Sequence, residues 1–141
     1  VLVPSTVYEE VVTRGLEQGQ PDAYVVQLAV AREELRVIQV QESALSESIR
    51  SLPLHAGEKY VIQLALNETA DLILIDDELA RNHVRLLGLK VKGTLSVMVS
   101  AYQRNLLSLH EVEIVCQSIL DRDDIWISAE LVKSVLAKLK T

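Results

Sequence analysis

Apolar residues follow two alternating rhythms along this chain. Short runs of strand type (Val1–Val3, Arg36–Val40, Leu72–Ile75, Leu89–Val91, Ile125–Ile127) are separated by longer stretches whose apolar positions recur every three or four residues. Pro4 stops the first run, and Ser5 is placed to N-cap a helix through Val7, Tyr8, Val11 and Val12, with Gly15 and Gly19 marking the loop after it. Pro21 opens a second helix, whose apolar positions Tyr24, Val25, Leu28, Ala29 and Ala31 repeat at helical spacing. Ser43 starts another helix, which ends near Pro53. The stretch from Gly57 to Asn67 reads as helix with Val61, Ile62, Leu64, Ala65 and Leu66 facing inward. Leu72–Ile75 is continuously apolar, which suits a parallel strand buried on both faces. Further helices are expected from about Asp77 to Leu87, stopped by Gly88; from a Thr94 cap to about Gln103; from a Ser108 cap through Leu120; and after Ser128, carrying Leu131, Val132, Val135, Leu136 and Leu139. Strands alternating with helices predict an α/β fold, a mainly parallel sheet with helices on both faces. No linker or internal repeat interrupts it, so residues 1–141 are expected to form one domain.

Composition narrows this picture. The chain is 49% hydrophobic and 24% charged but only 4% aromatic, with no Phe, so its core must be aliphatic. A single cysteine, Cys116, excludes a disulfide scaffold; set among Val112, Val115, Ile119 and Leu120, it reads as a core residue. No apolar run is long enough to span a bilayer and no leader pattern is visible, so the expectation is a cytoplasmic protein with no membrane partner. Twenty acidic against fourteen basic residues give a net charge of −6, which argues against a protein broadly coated in nucleic acid. A small basic patch beside an acidic metal site remains compatible with that charge.

Candidate chemistry concentrates where an open parallel sheet collects ligands, at the carboxyl ends of its strands. Asp76 and Asp77 follow Leu72–Ile75 directly. Acids there also suit a helix N-terminus, so each alone has an ordinary capping role; two adjacent carboxylates favour a hard cation such as Mg²⁺ or Mn²⁺. Glu58, at a helix start above Ile62, is the third acid, since a carboxylate at the edge of a buried face needs a partner, a cation or solvent. Arg81 and Arg85, one helical turn apart, are positioned to bind phosphate, although without ligand Arg81 is expected to pair with Asp77. His55, His83 and His110 share no zinc-ligand spacing. No P-loop, dinucleotide fingerprint or nucleophile elbow occurs.

Several segments together resemble the PIN-domain family. They are Leu54-His55-Ala56-Gly57-Glu58 followed by Ile62-Gln63-Leu64-Ala65; Ala70-Asp71-Leu72-Ile73-Leu74-Ile75-Asp76-Asp77-Glu78-Leu79-Ala80-Arg81; Leu87-Gly88-Leu89 with Gly93-Thr94-Leu95; Val3-Pro4 with Val7-Tyr8-Glu9-Glu10-Val11; and Ile125-Trp126-Ile127-Ser128 with Leu131. The similarity is to a prokaryotic branch related to the toxin nucleases of toxin–antitoxin pairs. It implies a three-layer α/β/α sandwich with acids around Mg²⁺ or Mn²⁺, hydrolysing RNA phosphodiester bonds. Glu58 carries over as the helix acid and Asp77 as the acid after the strand, with Asp76 its neighbour and possible substitute. An antitoxin protein and a second copy of the chain are the implied partners besides RNA.

Two departures from the family pattern stand out. Its opening strand, ending in Asp, has no counterpart after Val1; the resemblance implies that roughly 25 residues precede this chain, enough for one strand and one helix, or that another chain fills their place. Without that acid, the 141 residues alone are expected to bind Mg²⁺ weakly. A fourth acid often found one strand further on is replaced by Gly93-Thr94, where Thr94 can help at most through its hydroxyl or a water. The competing readings are a catalytically silent PIN-like module that binds a protein or RNA and, ranked last, a receiver-like regulatory domain.

Overall fold

The computed structural model describes residues 1–141, and the chain divides into two compact units, residues 1–73 and 74–141. Helices alternate with short strands throughout, as an α/β fold requires.

The first unit begins with β1 (Leu2–Pro4), which pairs in parallel with β2 (Arg36–Ile38) in the register Leu2↔Arg36, Val3↔Val37 and Pro4↔Ile38. A parallel pair needs a crossover. The chain supplies one as α1 (Ser5–Tyr8), a π-helical turn over Glu9–Thr13, α2 (Arg14–Glu17) and α3 (Pro21–Ala31). Pro4, not Ser5, is the N-cap of α1, and the helical path runs on past Val12 to Glu17. Gly15 therefore lies inside a helix rather than in a loop. A Cβ on Gly15 would meet the Ala23 Cβ at 2.8 Å, so glycine lets α2 and α3 approach closely. Pro21 occupies the first turn of α3, as its fixed φ favours. The helix forms over these apolar positions, but within it only Ala23 is buried, and Tyr24, Val25 and Leu28 are exposed. Periodicity marks a helix here but not its buried side, because Ala23 alone meets the Gly15 contact.

Ser43 lies in a 3₁₀ turn (Glu42–Ala44) instead of starting a helix. Ser46 caps α4 (Glu47–Arg50) through a hydrogen bond from the Ile49 N–H. α5 (Ala56–Asn67) buries Ile62, Gln63, Leu64 and Ala65, while Leu66 emerges to solvent. Gln63 is a buried polar side chain with both ends used: its Oε1 accepts from the Ser46 N–H at 2.9 Å and its Nε2 donates to Asn67 Oδ1 at 2.9 Å.

β3 (Ile73–Leu74) and β4 (Val91–Lys92) form a second two-stranded sheet. The expectation of a strand buried on both faces is corrected, since Leu72 and Leu74 are exposed and Ile73 and Ile75 buried. That alternation is what a strand covered on one face shows. In the second unit, α6 (Glu78–Leu86) ends before Gly88, and α7 (Thr94–Gln103), α8 (Leu109–Leu120) and α9 (Ala129–Leu139) enclose a core of Leu95, Met98, Val112, Cys116, Ile119 and Val132. Cys116 is fully buried, as expected, and burial pushes its thiol pKa up. The expected strand Ile125–Ile127 does not form. Ile125 and Ile127 lean on the helical core, while Trp126 between them is 93% exposed and no strand pairs with the segment. None of the helices is long and apolar enough to cross a membrane.

Candidate functional site

In the second unit the candidate acids sit in the turn between β3 and α6. β3 continues one residue beyond its assigned end through a hydrogen bond from the Ile75 N–H to the Lys92 carbonyl at 3.0 Å. Asp77 is the N-cap of α6, where its Oδ1 accepts from the Ala80 N–H at 2.8 Å. This is the ordinary capping geometry, and it leaves Oδ2 without a hydrogen-bond partner. Asp76 is bonded at both oxygens: Oδ1 accepts from the Thr94 N–H at 2.8 Å and Oδ2 from the Thr94 hydroxyl at 2.5 Å. Thr94 is accordingly not the N-cap of α7. Gly93 holds that position, and Thr94, the first helical residue, spends both of its donors on Asp76.

The arginines separate. Arg85 is exposed and donates from Nη1 to Asn82 Oδ1 at 2.9 Å. Arg81 is half-buried, and its Nε is buried with no hydrogen-bond partner. The expected Arg81–Asp77 ion pair does not form; the Asp77 carboxylate is turned onto the Ala80 N–H as a cap. The guanidinium instead reaches toward Gly93, where a Cβ would lie 3.7 Å from its Nη1 and 2.6 Å from Asp76 Oδ1. A buried guanidinium N–H without an acceptor is costly unless a ligand or water meets it.

In the first unit Glu58 is half-buried in the first turn of α5, and its Oε2 accepts from the His55 N–H at 2.9 Å. The second oxygen, Oε1, has no such partner. Sequence reasoning passed over another acid beside it. Glu10 Oε2 lies 3.4 Å from where a Cβ on Gly57 would stand, which brings this carboxylate to the residue preceding Glu58. Glu10 belongs to the π-helical turn, a feature often found at functional sites because it re-aims side chains. The pair Glu9-Glu10 was visible in the sequence; the turn that aims Glu10 was not.

His110 is exposed, 4.0 Å from Glu113. Within each unit, no three His, Cys, Asp or Glu side chains gather as a metal site. A family model described as a PIN domain matches residues 1–141. No curated protein and no solved structure matches the chain.

Proposed function

We propose, starting from the fact that this chain belongs to the PIN-domain family, that it is a metal-dependent ribonuclease that hydrolyses RNA phosphodiester bonds and acts in the cytoplasm as the toxin of a toxin–antitoxin pair. The observation that carries this reading is the corner after β3: a carboxylate with one oxygen uncommitted, on Asp77, in the turn that leads to the half-buried, unpaired Arg81. Metal-assisted phosphodiester hydrolysis uses an acid to hold a cation, and a guanidinium is a phosphate-binding group.

The donor chemistry fits Mg²⁺ or Mn²⁺. Both take hard oxygen ligands, and Mg²⁺ is satisfied by one or two carboxylates with water completing its shell. In the second unit Asp77, through Oδ2, is the residue that would hold it; in the first unit the candidate is Glu58, through Oε1, with Glu10 brought to the same turn. When bound, the cation acidifies a water and offsets the charge of the phosphate. Arg81 receives a phosphate oxygen with its planar fork, which also answers its buried Nε. Arg85, one turn further along the exposed face of α6, meets a neighbouring phosphate of the strand. With a net charge of −6, affinity for RNA comes from this local pair and not from a basic surface. An antitoxin protein and a second copy of the chain are the proposed protein partners.

The test is cleavage of single-stranded RNA by the full chain with Mg²⁺, with Mn²⁺ and with chelator. We expect Asp77→Asn to lower the rate at least about 100-fold, with an unchanged far-UV spectrum, and chelator to do the same. Cleavage that survives both treatments would overturn the reading; RNA binding without cleavage would identify a silent binding module instead.

A further inference from the structure

The geometry assigns different tasks to the two adjacent aspartates: Asp77 faces the cation, whereas Asp76, Gly93 and Thr94 form a lock that fixes the turn carrying it. This rests on the ribonuclease reading for the role of Asp77, but the lock itself stands on contacts within the second unit. Asp76 has no uncommitted oxygen, since Thr94 takes one with its N–H and the other with its hydroxyl. Asp77 commits a single oxygen, and only to its own helix. The two Asp76 bonds join the turn after β3 to the first turn of α7, 18 residues later in the chain. They lie just beyond the last β3–β4 hydrogen bond, from Ile75 to Lys92. The lock therefore closes the open end of that ladder and holds residues 76 and 77 in place.

Gly93 makes the lock possible. Its backbone is extended, φ −110° and ψ 177°, a conformation any residue adopts, so it is not needed for its flexibility. It is needed for space. A Cβ there would stand 2.6 Å from Asp76 Oδ1, the oxygen that accepts the Thr94 N–H, and 3.5 Å from the Ile75 carbonyl. A methyl group at this point displaces the end of the Asp76 side chain before it moves any backbone. Gly93→Ala thus opens the lock in a folded protein. Gly93 and Thr94 are positioning residues: they act through Asp76 on the Asp77 turn.

The substitutions separate the two tasks. In Asp76→Asn the amide oxygen still accepts the Thr94 N–H and the amide N–H donates to the hydroxyl, so the lock survives although the charge is gone. Three readouts on the full chain are needed: hydrogen exchange of the Thr94 amide, Mn²⁺ affinity from water-proton relaxation, and steady-state RNA cleavage. Asp76→Asn should keep Thr94 protection and hold Mn²⁺ affinity within about threefold. Asp77→Asn should keep Thr94 protection and lose at least about tenfold in affinity. Gly93→Ala should lose Thr94 protection and lower kcat about 10- to 100-fold with KM for RNA nearly unchanged. Thr94→Ser, which retains both donors, should behave as the unaltered chain, whereas Thr94→Val should resemble Gly93→Ala in kcat. The proposal is overturned if Asp76→Asn loses as much Mn²⁺ affinity as Asp77→Asn, or if Gly93→Ala leaves Thr94 protection and kcat unchanged. A chain that binds no Mn²⁺ and cleaves no RNA, yet shows this pattern of Thr94 protection, refutes the ribonuclease reading while supporting the lock.

Discussion

The starts of α5 and α8 are built alike and differ in what surrounds them. Each carries a glutamate at its third position that turns back to the N-cap residue: Glu58 Oε2 accepts from the His55 N–H at 2.9 Å, and Glu111 Oε2 from the Ser108 N–H at 2.8 Å. Glu111 also takes the Ser108 hydroxyl at 2.7 Å, and these bonds, the backbone one foremost, hold its pKa below the usual glutamate range. Beyond the cap, the α8 turn meets only exposed charges: His110 beside Glu113, and Lys140 paired with Glu113 at 2.7 Å. At α5 the carboxylate of Glu10 arrives from a different element, against Gly57. A capping glutamate is thus a structural device at both helices. What marks Glu58 as a site candidate is a second acid, from another element, delivered to the same turn.

The comparison breaks most sharply if the two glutamates are exchanged for glutamine. Glu58→Gln is expected to lower RNA cleavage about 100-fold, by loss of a cation ligand, while Glu111→Gln stays within about twofold of the unaltered rate because that carboxylate is committed to the Ser108 cap. Equal losses in steady-state assays would show that capping, not chemistry, explains both. Glu10→Gln sharpens the contrast at a smaller scale. Its expected effect is about tenfold on Mn²⁺ affinity, that of a neighbouring rather than a principal ligand; an unchanged relaxation titration would remove Glu10 from the site. The smallest effects belong to α8 and concern stability. Ser108→Ala should destabilise the chain by about 1 kcal/mol, read from urea unfolding at neutral pH. Because the folded-state pKa of Glu111 is lowered, its contribution is present above the ordinary glutamate pKa and fades as pH falls through the depressed one. Ser108→Ala removes the hydroxyl but keeps the backbone N–H that lowers the Glu111 pKa most, so it should flatten the acid limb of the stability curve only in part, and a limb steeper than that of the unaltered chain would detach Glu111 from it.

Local signals were legible in the sequence where the partner lies within one turn. Asp77, Ser108 and Ser128 cap α6, α8 and α9 as their residue types and positions suggest, and Pro21 opens α3. The aliphatic packing of Cys116 was legible for the same reason, since α8 carries its own apolar stripe. What was not legible depended on distant chain. The apolar face of α3 lies toward solvent except at Ala23, because its packing was decided by Gly15 in another helix. Leu72–Ile75 is covered on one side only, which no run of four apolar residues can disclose. Of the proposed acids, Asp76 and Asp77 in the second unit and Glu58 in the first were named from the sequence. The bonds that distinguish Asp76 from Asp77 were not, because they come from Thr94 across a whole strand–helix unit. The Glu10 approach was hidden likewise, since it depends on a π turn with no sequence mark of its own.

The exposure of Trp126 has a consequence for how this protein is watched in solution. It is the sole tryptophan, and its indole is 93% exposed in the folded chain. Its emission therefore begins near the wavelength of the fully hydrated ring, and unfolding has almost no further solvent to add. A melt followed by tryptophan fluorescence would look flat while the core of Val112, Cys116 and Val132 came apart. The same ring is well placed as a reporter of association: anything that covers the 125–127 segment must dehydrate it, and a blue shift on adding a partner would register at once, with no background from a second indole.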